Sequence, residues 1–481
     1  QFNFSIAYKG MRSLGKYQHI LSSTGNFRFT TNYNSKNNRY KLRTHIVKQD
    51  VLNQENGGIS DEDLIGFESG DPEFIDRSLF DPIFENAQNK LEGKRFHMDQ
   101  SYVLVQSDSL NSNQISIGNL LTFEDKYYHF TQDSNNPFFG DAFVSSSISD
   151  KSTFENFYTE FNARYSNERL GAFKASLGYN NHNYGYNSLV ILNNQTITNR
   201  LLGDVLSFGA AYENKIGALV INGEVGFNLT GDLEGNFING DVSYIFNDDV
   251  EAKAGININS KAPDFNFQLF QSDYLSYNWQ NDFKNQQTKQ LAIALKSKKY
   301  GSLQLDYNTI GNYLYFAKNE AAAVKPFQHG GTLNYVRAKF SNEISYKRFA
   351  LNNTILFQSV LDGEEVLNVP QLVMRHTFYC SNEFFKKALF LQTGVTLSYF
   401  SSYSMNAYDP LLAEFYTQNT TEIGDSPRID FFINAKISQA RIYLKAEHFN
   451  SALTGYDYYS APNYPYRDFT IRFGIVWNFF L

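Results

Sequence analysis

The chain has 481 residues and a net charge of −7, with 44 Phe and 33 Tyr but only 2 Trp. Its mean hydropathy is −0.42. No run of about 18 apolar residues occurs, which excludes a transmembrane helix but not a barrel, whose strands need only one apolar face. The acidic balance leaves no footprint for nucleic acid, and a single cysteine, Cys380, excludes an internal disulfide and reads as a small apolar position.

The first biased segment in chain order is 53–93, where acids far outnumber Arg77 and Lys90. One reading is a loop folded into a barrel mouth, with Asp61, Asp63, Asp71 and Asp76 forming a constriction or offering oxygen ligands to calcium. The other is a solvated acidic surface loop; the spacing does not match an EF-hand. Beyond it the chain alternates. Leu219, Ile221, Val225, Phe227 and Leu229 face away from Asn222, Glu224, Asn228 and Thr230. Ala252, Ala254, Ile256 and Ile258 make a small-residue stripe, and Leu303, Leu305 and Tyr307 alternate with Gln304, Asp306 and Asn308. Leu389, Leu391, Val395, Leu397 and Tyr399 form another stripe. Ile429, Phe431, Ile433, Ala435 and Ile437 then alternate with polar neighbours, and Ile442, Leu444 and Ala446 follow after a tight turn at Gln439 and Ala440.

The last stretch, 469–481, places Phe469, Ile471, Phe473, Ile475, Trp477, Phe479 and Leu481 on one face. Side chains alternate across a strand, so this is a strand with one greasy face that runs to the chain end. Phe473, Trp477, Phe479 and Leu481 resemble the C-terminal signal by which bacterial outer-membrane proteins are recognised for insertion, which implies the barrel-assembly machinery as a partner during biogenesis. On the last three strands Asp430, Lys436, Lys445, Glu447 and Arg472 share the opposite, lumen-facing side. They either set a transverse field that sorts solutes or satisfy one another.

The connections differ in length. Short turns are expected near 166–170, 214–217, 247–250, 296–302, 346–349, 382–387 and 438–440. Long links, read as extracellular loops, lie at 53–93, 188–204, 272–281, 319–329, 405–427 and 452–466, with short exceptions at 231–234 and 361–365; the alternation is imperfect near 106–114. Such asymmetry suits short periplasmic turns and long extracellular loops. The Tyr-rich loop 452–466 reads first as part of an interfacial girdle and second as a surface that stacks sugars or meets a protein. No helical stretch or linker divides the chain, so one domain is expected. No fixed repeat supports the competing soluble readings, a sandwich, β-helix or propeller.

Catalytic signatures are missing. None of the eight histidines forms HExxH or a close metal pair, and there is no GxSxG or Walker loop. A Ser/His/acid set as in an outer-membrane lipase has no handle in the sequence, so no enzyme activity, metal or cofactor is expected.

Five blocks resemble a known family: AYKGMRSLGKYQH (7–19), QENGGI (54–59), EFYTQN (414–419), KAEHFN (445–450) and APNYPYRDF (461–469). They are similar to the "putative porin" family of Bacteroidetes outer membranes, with a likeness spanning nearly the whole chain and strongest from about Val366. The resemblance implies an outer-membrane β-barrel with a channel role and assigns no functional residues. Members usually carry residues before the first block, so Gln1 is expected to lie within a longer protein.

The expectation is therefore an all-β fold, a single antiparallel transmembrane barrel over 1–481 with about 20 strands (18–24), in the bacterial outer membrane among lipid and lipopolysaccharide. The expected function is passive diffusion of small solutes, with a slight preference for cations or neutral molecules. The alternative is a non-conducting or plugged barrel serving as a subunit of a larger secretion, uptake or assembly complex. With no plug domain among these residues, a TonB-dependent transporter is not expected.

Overall fold

A computed structural model describes residues 1–106, 112–192 and 194–479. One antiparallel sheet of 20 strands dominates it. In chain order the strands are β1 (Phe2–Ser13), β2 (Ser22–Asn34), β3 (Tyr40–Glu55), β4 (Ala87–Val105), β5 (Gln114–Ser134), β6 (Ser146–Asn167) and β7 (Gly171–Gly185). They continue with β8 (Arg200–Ile216), β9 (Leu219–Gly231), β10 (Gly235–Ile245), β11 (Val250–Lys261), β12 (Gln286–Ser297) and β13 (Gly301–Gly311). The remainder are β14 (Thr332–Tyr346), β15 (Phe349–Asp362), β16 (Leu372–Phe384), β17 (Leu389–Phe400), β18 (Arg428–Ile437), β19 (Ala440–Glu447) and β20 (Thr470–Trp477). Each pairs with its chain neighbours, as in β3 with β4 (His45 opposite His97) and β19 with β20 (Leu444 opposite Phe473).

The period-2 pattern decides which face is which. Phe161, Leu177, Ile293, Phe378 and Phe473 project from one face and stay more than half exposed although large and apolar. In water that surface would be an aggregation site; against lipid it is the outer wall. The opposite face carries Phe130, Ile148 and Tyr184, which bury beneath loops. Close packing on the inner wall also explains Gly226: a Cβ there would lie 2.3 Å from the ring of Phe237 on the adjacent strand.

Connections alternate strictly. At one end lie the turns 35–39, 168–170, 217–218, 246–249, 298–300, 347–348, 385–388 and 438–439; at the other lie the loops 56–86, 135–145, 186–199, 262–285, 312–331, 401–427 and 448–469, with 14–21, 232–234 and 363–371 as its short members. The turn between β4 and β5, where the alternation read as imperfect, falls mostly outside the described residues. Strands β4, β5 and β6 have 19, 21 and 22 residues. A tilted strand crosses a bilayer in about 9–11, so these project beyond the apolar band at the long-loop end.

The sheet curls toward its own start. Loop 56–86 meets loop 448–469, where Ile59 N donates to Asn463 O at 2.9 Å. Among the described residues β1 and β20 each have one paired neighbour.

Three expectations need correction. The final strand stops at Trp477: Phe473 and Trp477 lie on it, exposed, Phe479 follows it stacked on Trp477 at 5.9 Å, and Leu481 lies outside the described residues. Helix is not absent, because α1 (Asp61–Ser69) forms in the acidic loop. Ser60 caps it by accepting from Asp63 N, three acids sit in its first turn, and Gly70 ends it at φ 65°. That local chemistry outweighs an amphipathic signal too weak to read over nine residues. The acidic loop itself is 56–86 rather than 53–93, since β3 and β4 stay paired up to Glu55 and Ala87.

Candidate functional site: an inner wall and its cap

The inner wall is built from ion pairs on neighbouring strands. Lys445 reaches Asp430 at 3.0 Å and Glu447 at 2.9 Å, and Arg472 reaches Glu447 at 3.0 Å. Four of the five predicted lumen charges are thus one network. Lys436 shares the face, opposite Arg441, with no ion-pair partner among the described residues. The same arrangement recurs around the wall: Arg337 with Asp306 at 2.9 Å, Lys174 with Glu160 at 2.7 Å, Lys253 with Asp241 at 3.1 Å, Arg95 with Glu124, and Arg164 with Glu213. His45 stacks on His97 at 4.8 Å, and Asn239, Asn257 and Asn259 form a hydrogen-bonded row. These further pairs were within reach of the sequence, since Asp306 already alternated with Leu305 and Tyr307. Pairing partners require the register. A cavity of about 740 Å³ lies against this wall at the foot of loop 262–285, lined by Glu160, Lys174, Glu224, Phe237, Asn259 and Phe265 among others.

At the long-loop end the loops pack together as a cap. Loops from well-separated parts of the sheet bury one apolar core. Phe84 comes from loop 56–86, Phe139 from 135–145, Tyr186 from 186–199, Leu269 and Trp279 from 262–285, Phe316 from 312–331 and Leu411 from 401–427. Buried polar groups stitch the pieces together, as they must once water is excluded. Tyr128 Oη on β5 donates to Leu411 O at 2.8 Å, and Tyr408 Oη donates to Glu55 on β3 at 3.1 Å. Asp150 on β6 accepts from Ser272 Oγ at 2.5 Å and Asp273 N at 2.7 Å. The short strands Leu314–Lys318 and Glu414–Thr417, from different loops, pair in parallel.

Asp409, 2% exposed, accepts from Tyr277 Oη at 2.7 Å and from Leu411 N and Leu412 N, both at 3.0 Å. Burial pushes its carboxyl up to about 6, with these donors opposing the rise. Burial likewise lowers the Lys325 ammonium, which sits 5.1 Å over the Trp279 ring. None of these groups stood out in the sequence. The aromatic loops show no periodicity, and their partners lie hundreds of residues away.

The four acids proposed as a constriction or calcium site do not converge. Asp61 accepts from Asn463 Nδ2 at 2.9 Å and Asp63 from Asp81 N at 2.7 Å, while Asp71 and Asp76 cap the two short 3-10 helices that follow. Among the described residues no group of three or more metal-ligating side chains forms. The loop is not simply solvated either, because Ile59, Phe67 and Phe80 bury with Tyr458. The Tyr-rich loop 452–466 correspondingly supplies cap contacts rather than a girdle. Tyr458 meets Phe67 edge-on at 5.4 Å and donates to Asp468 at 2.7 Å, and Tyr459 donates to Glu68 at 2.6 Å.

Solved structures share this fold at low identity. The siderophore receptor PirA from Acinetobacter baumannii aligns over 98% of this chain and 74% of its own, with 9% identity and a TM-score of 0.64. The FrpB iron transporter from Neisseria meningitidis aligns over 98% and 77%, with 10% identity and a TM-score of 0.65. The ferric-catecholate import receptor Fiu from E. coli K12 aligns over 93% and 73%, with 11% identity and a TM-score of 0.60. These likenesses bear on the fold, that of outer-membrane receptor barrels. No curated protein matches the sequence significantly. The family model described as "Putative porin" matches residues 1–481, and the chain therefore belongs to that family, an outer-membrane β-barrel of the transport class.

Proposed function

We propose that this protein is a porin-type diffusion channel for small polar solutes whose outer mouth is narrowed by its own loops. In this reading the short turns face the periplasm and the capped end faces outside. The observation that supports it is the contrast between the two parts of the site: an inner wall carrying recurrent ion pairs and asparagines, and apolar cores gathered at the mouth. Paired charges and asparagine rows leave little net field along the wall, which favours neutral polar solutes over strongly charged ones. The cap limits size. The same cap favours a second reading, in which the barrel does not conduct and serves as a subunit of a larger outer-membrane assembly.

Single-channel recording in planar bilayers separates the two, comparing the native chain with Leu411→Asp, which puts a charge into the cap core. The channel reading expects small ohmic steps from the native protein and larger ones from the variant. Silence from both, with the barrel folded, discards the channel and leaves the scaffold.

A further inference from the structure

The lipid-facing wall of β14, β15 and β16 carries a polar row where lipid offers no partner. The register sets Ile344, Leu351 and Phe378 side by side as one outward row, and Phe340, Ile355 and Met374 as another. Between these apolar rows lie Asn342, Asn353 and His376, adjacent across the three strands. Asn353 Nδ2 donates to Asn342 Oδ1 at 2.9 Å. Asn353 Oδ1 can only accept, so His376 Nδ1, 2.7 Å away, carries the proton. The tautomer with its proton on Nδ1 presents Nε2 as a bare acceptor at one end of the row, and Asn342 presents Nδ2 as a free donor at the other. Among the described residues neither has a partner.

A second outward polar row shows what a self-contained one looks like. Tyr40 Oη donates to Gln100 at 2.9 Å, Gln100 to Asn119 at 3.5 Å, and Asn119 to the Glu160 carbonyl at 3.1 Å. That chain ends on the backbone and leaves no comparable open pair.

Open polar ends facing hydrocarbon are costly and mark sites where another polar surface arrives. We infer that the Asn342–Asn353–His376 row is the contact through which two copies of this chain pair side by side in the membrane. The complementarity is built in. A two-fold axis along the membrane normal brings the donor end of each row to the acceptor end of the other, the isologous arrangement in which one residue's partner is the other's mirror choice. A row with two donor ends or two acceptor ends would not be self-complementary in this way. The pairing is independent of whether the lumen conducts.

Cys380, the chain's single cysteine, lies on the same outward face of β16, opposite Phe349. It provides the reporter. The full chain, spin-labelled at Cys380 and reconstituted in bilayers at a high lipid-to-protein ratio, is measured by double electron–electron resonance. The expected result is the modulation depth of two coupled spins. It should fall to background in the triple variant Asn342→Leu, Asn353→Leu, His376→Leu, which keeps the heat-modifiable mobility of a folded barrel because apolar side chains suit this part of the lipid face. Background modulation from the native protein overturns the inference, as does an unchanged depth in the triple variant. A native protein that is monomeric by this measure but retains a different membrane protein, lost from the triple variant, also overturns it and assigns the row to that partner.

Discussion

Arg77 grips Asp468 through two hydrogen bonds, 2.8 Å from Nη2 and 3.1 Å from Nε, and so joins the loop after β3 to the loop before β20. Arg77 is 5% exposed and stacked over the rings of Phe67, Phe80 and Tyr456. Lys16 adds a longer contact to Asp468 at 3.7 Å, and Tyr458 donates to the same carboxylate. The clasp lies at the long-loop end, where the first and last strands of the sheet approach each other.

Removing Arg77 leaves Asp468 with only the longer Lys16 contact and the Tyr458 hydrogen bond, which should cost up to about 3 kcal/mol. Arg77→Met alone should therefore loosen loops 56–86 and 448–469 and speed their nicking by protease without unfolding the sheet. The double variant Arg77→Met, Asp468→Leu should recover much of the loss, because a well-packed apolar replacement of a buried pair is close to neutral. Equal nicking in native and single-variant proteins would remove the clasp from the stability of the cap.

Acidity should act on the cap through carboxyls that shift in opposite directions, Asp409 and Asp468 among them. Asp409 is raised to about 6 in the closed cap. Its contribution is complete below the ordinary aspartate value near 4 and is lost as pH rises through about 6, a change on the order of 2–3 kcal/mol. Burial would also raise Asp468, but hydrogen bonds from Arg77 and Tyr458, with the charges of Arg77 and Lys16, hold it below its ordinary value. Its contribution is present above about pH 4 and lost below. Cap stability should thus peak near pH 4. Amides in 401–427, with exchange rates divided by the intrinsic rate at each pH, are expected to be less protected at pH 7.5 than at pH 5, and Asp409→Asn should reduce that difference. Equal or greater protection at pH 7.5 would show that Asp409 does not hold its proton in the folded cap.

On the wall, Lys445→Gln leaves Asp430 and Glu447 with less compensation. The Lys445 side chain is 37% exposed, so the stability change should stay within about 1 kcal/mol. Ion selectivity should move instead, toward cations, read as a shifted reversal potential in a salt gradient. An unchanged reversal potential in a conducting variant would place this network away from the ion path.

On the outer face, Phe473 is 79% exposed and pairs across strands with Leu444. Phe473→Arg should cost about 2–4 kcal/mol if the position lies near the bilayer midplane, measured as lost heat-modifiable mobility and lower yield in the outer membrane. Arg at the inward Asn434 should be tolerated. If both variants insert equally well, the outer-wall assignment of Phe473 is wrong.

Much of the architecture was legible because lipid on one side and water on the other impose a period of two on every spanning strand. That period located Ile429 to Ile437, Ile442 to Ala446 and the outward row Ile471, Phe473, Ile475 and Trp477, though it ran that row on to Leu481, and loop lengths separated the two ends of the sheet. Parity alone placed Asp430, Lys445, Glu447 and Arg472 on one face. Their pairing needed only the neighbouring register. Helix α1 was missed despite its Ser60 cap and Gly70 stop, because nine residues carry too little periodic signal. The tyrosines of 452–466 were misassigned because an aromatic residue at a membrane edge and one in a loop core look alike in sequence.

The sequence by itself determined the strands, their facing and the polar inner wall, since each follows from local alternation. Only the tertiary structure decided the cap. Tyr128 and Leu411 stand 283 residues apart, and neither belongs to a repeating pattern. Their contact exists because the sheet curls and carries distant loops to one mouth, where their aromatic side chains can leave water together.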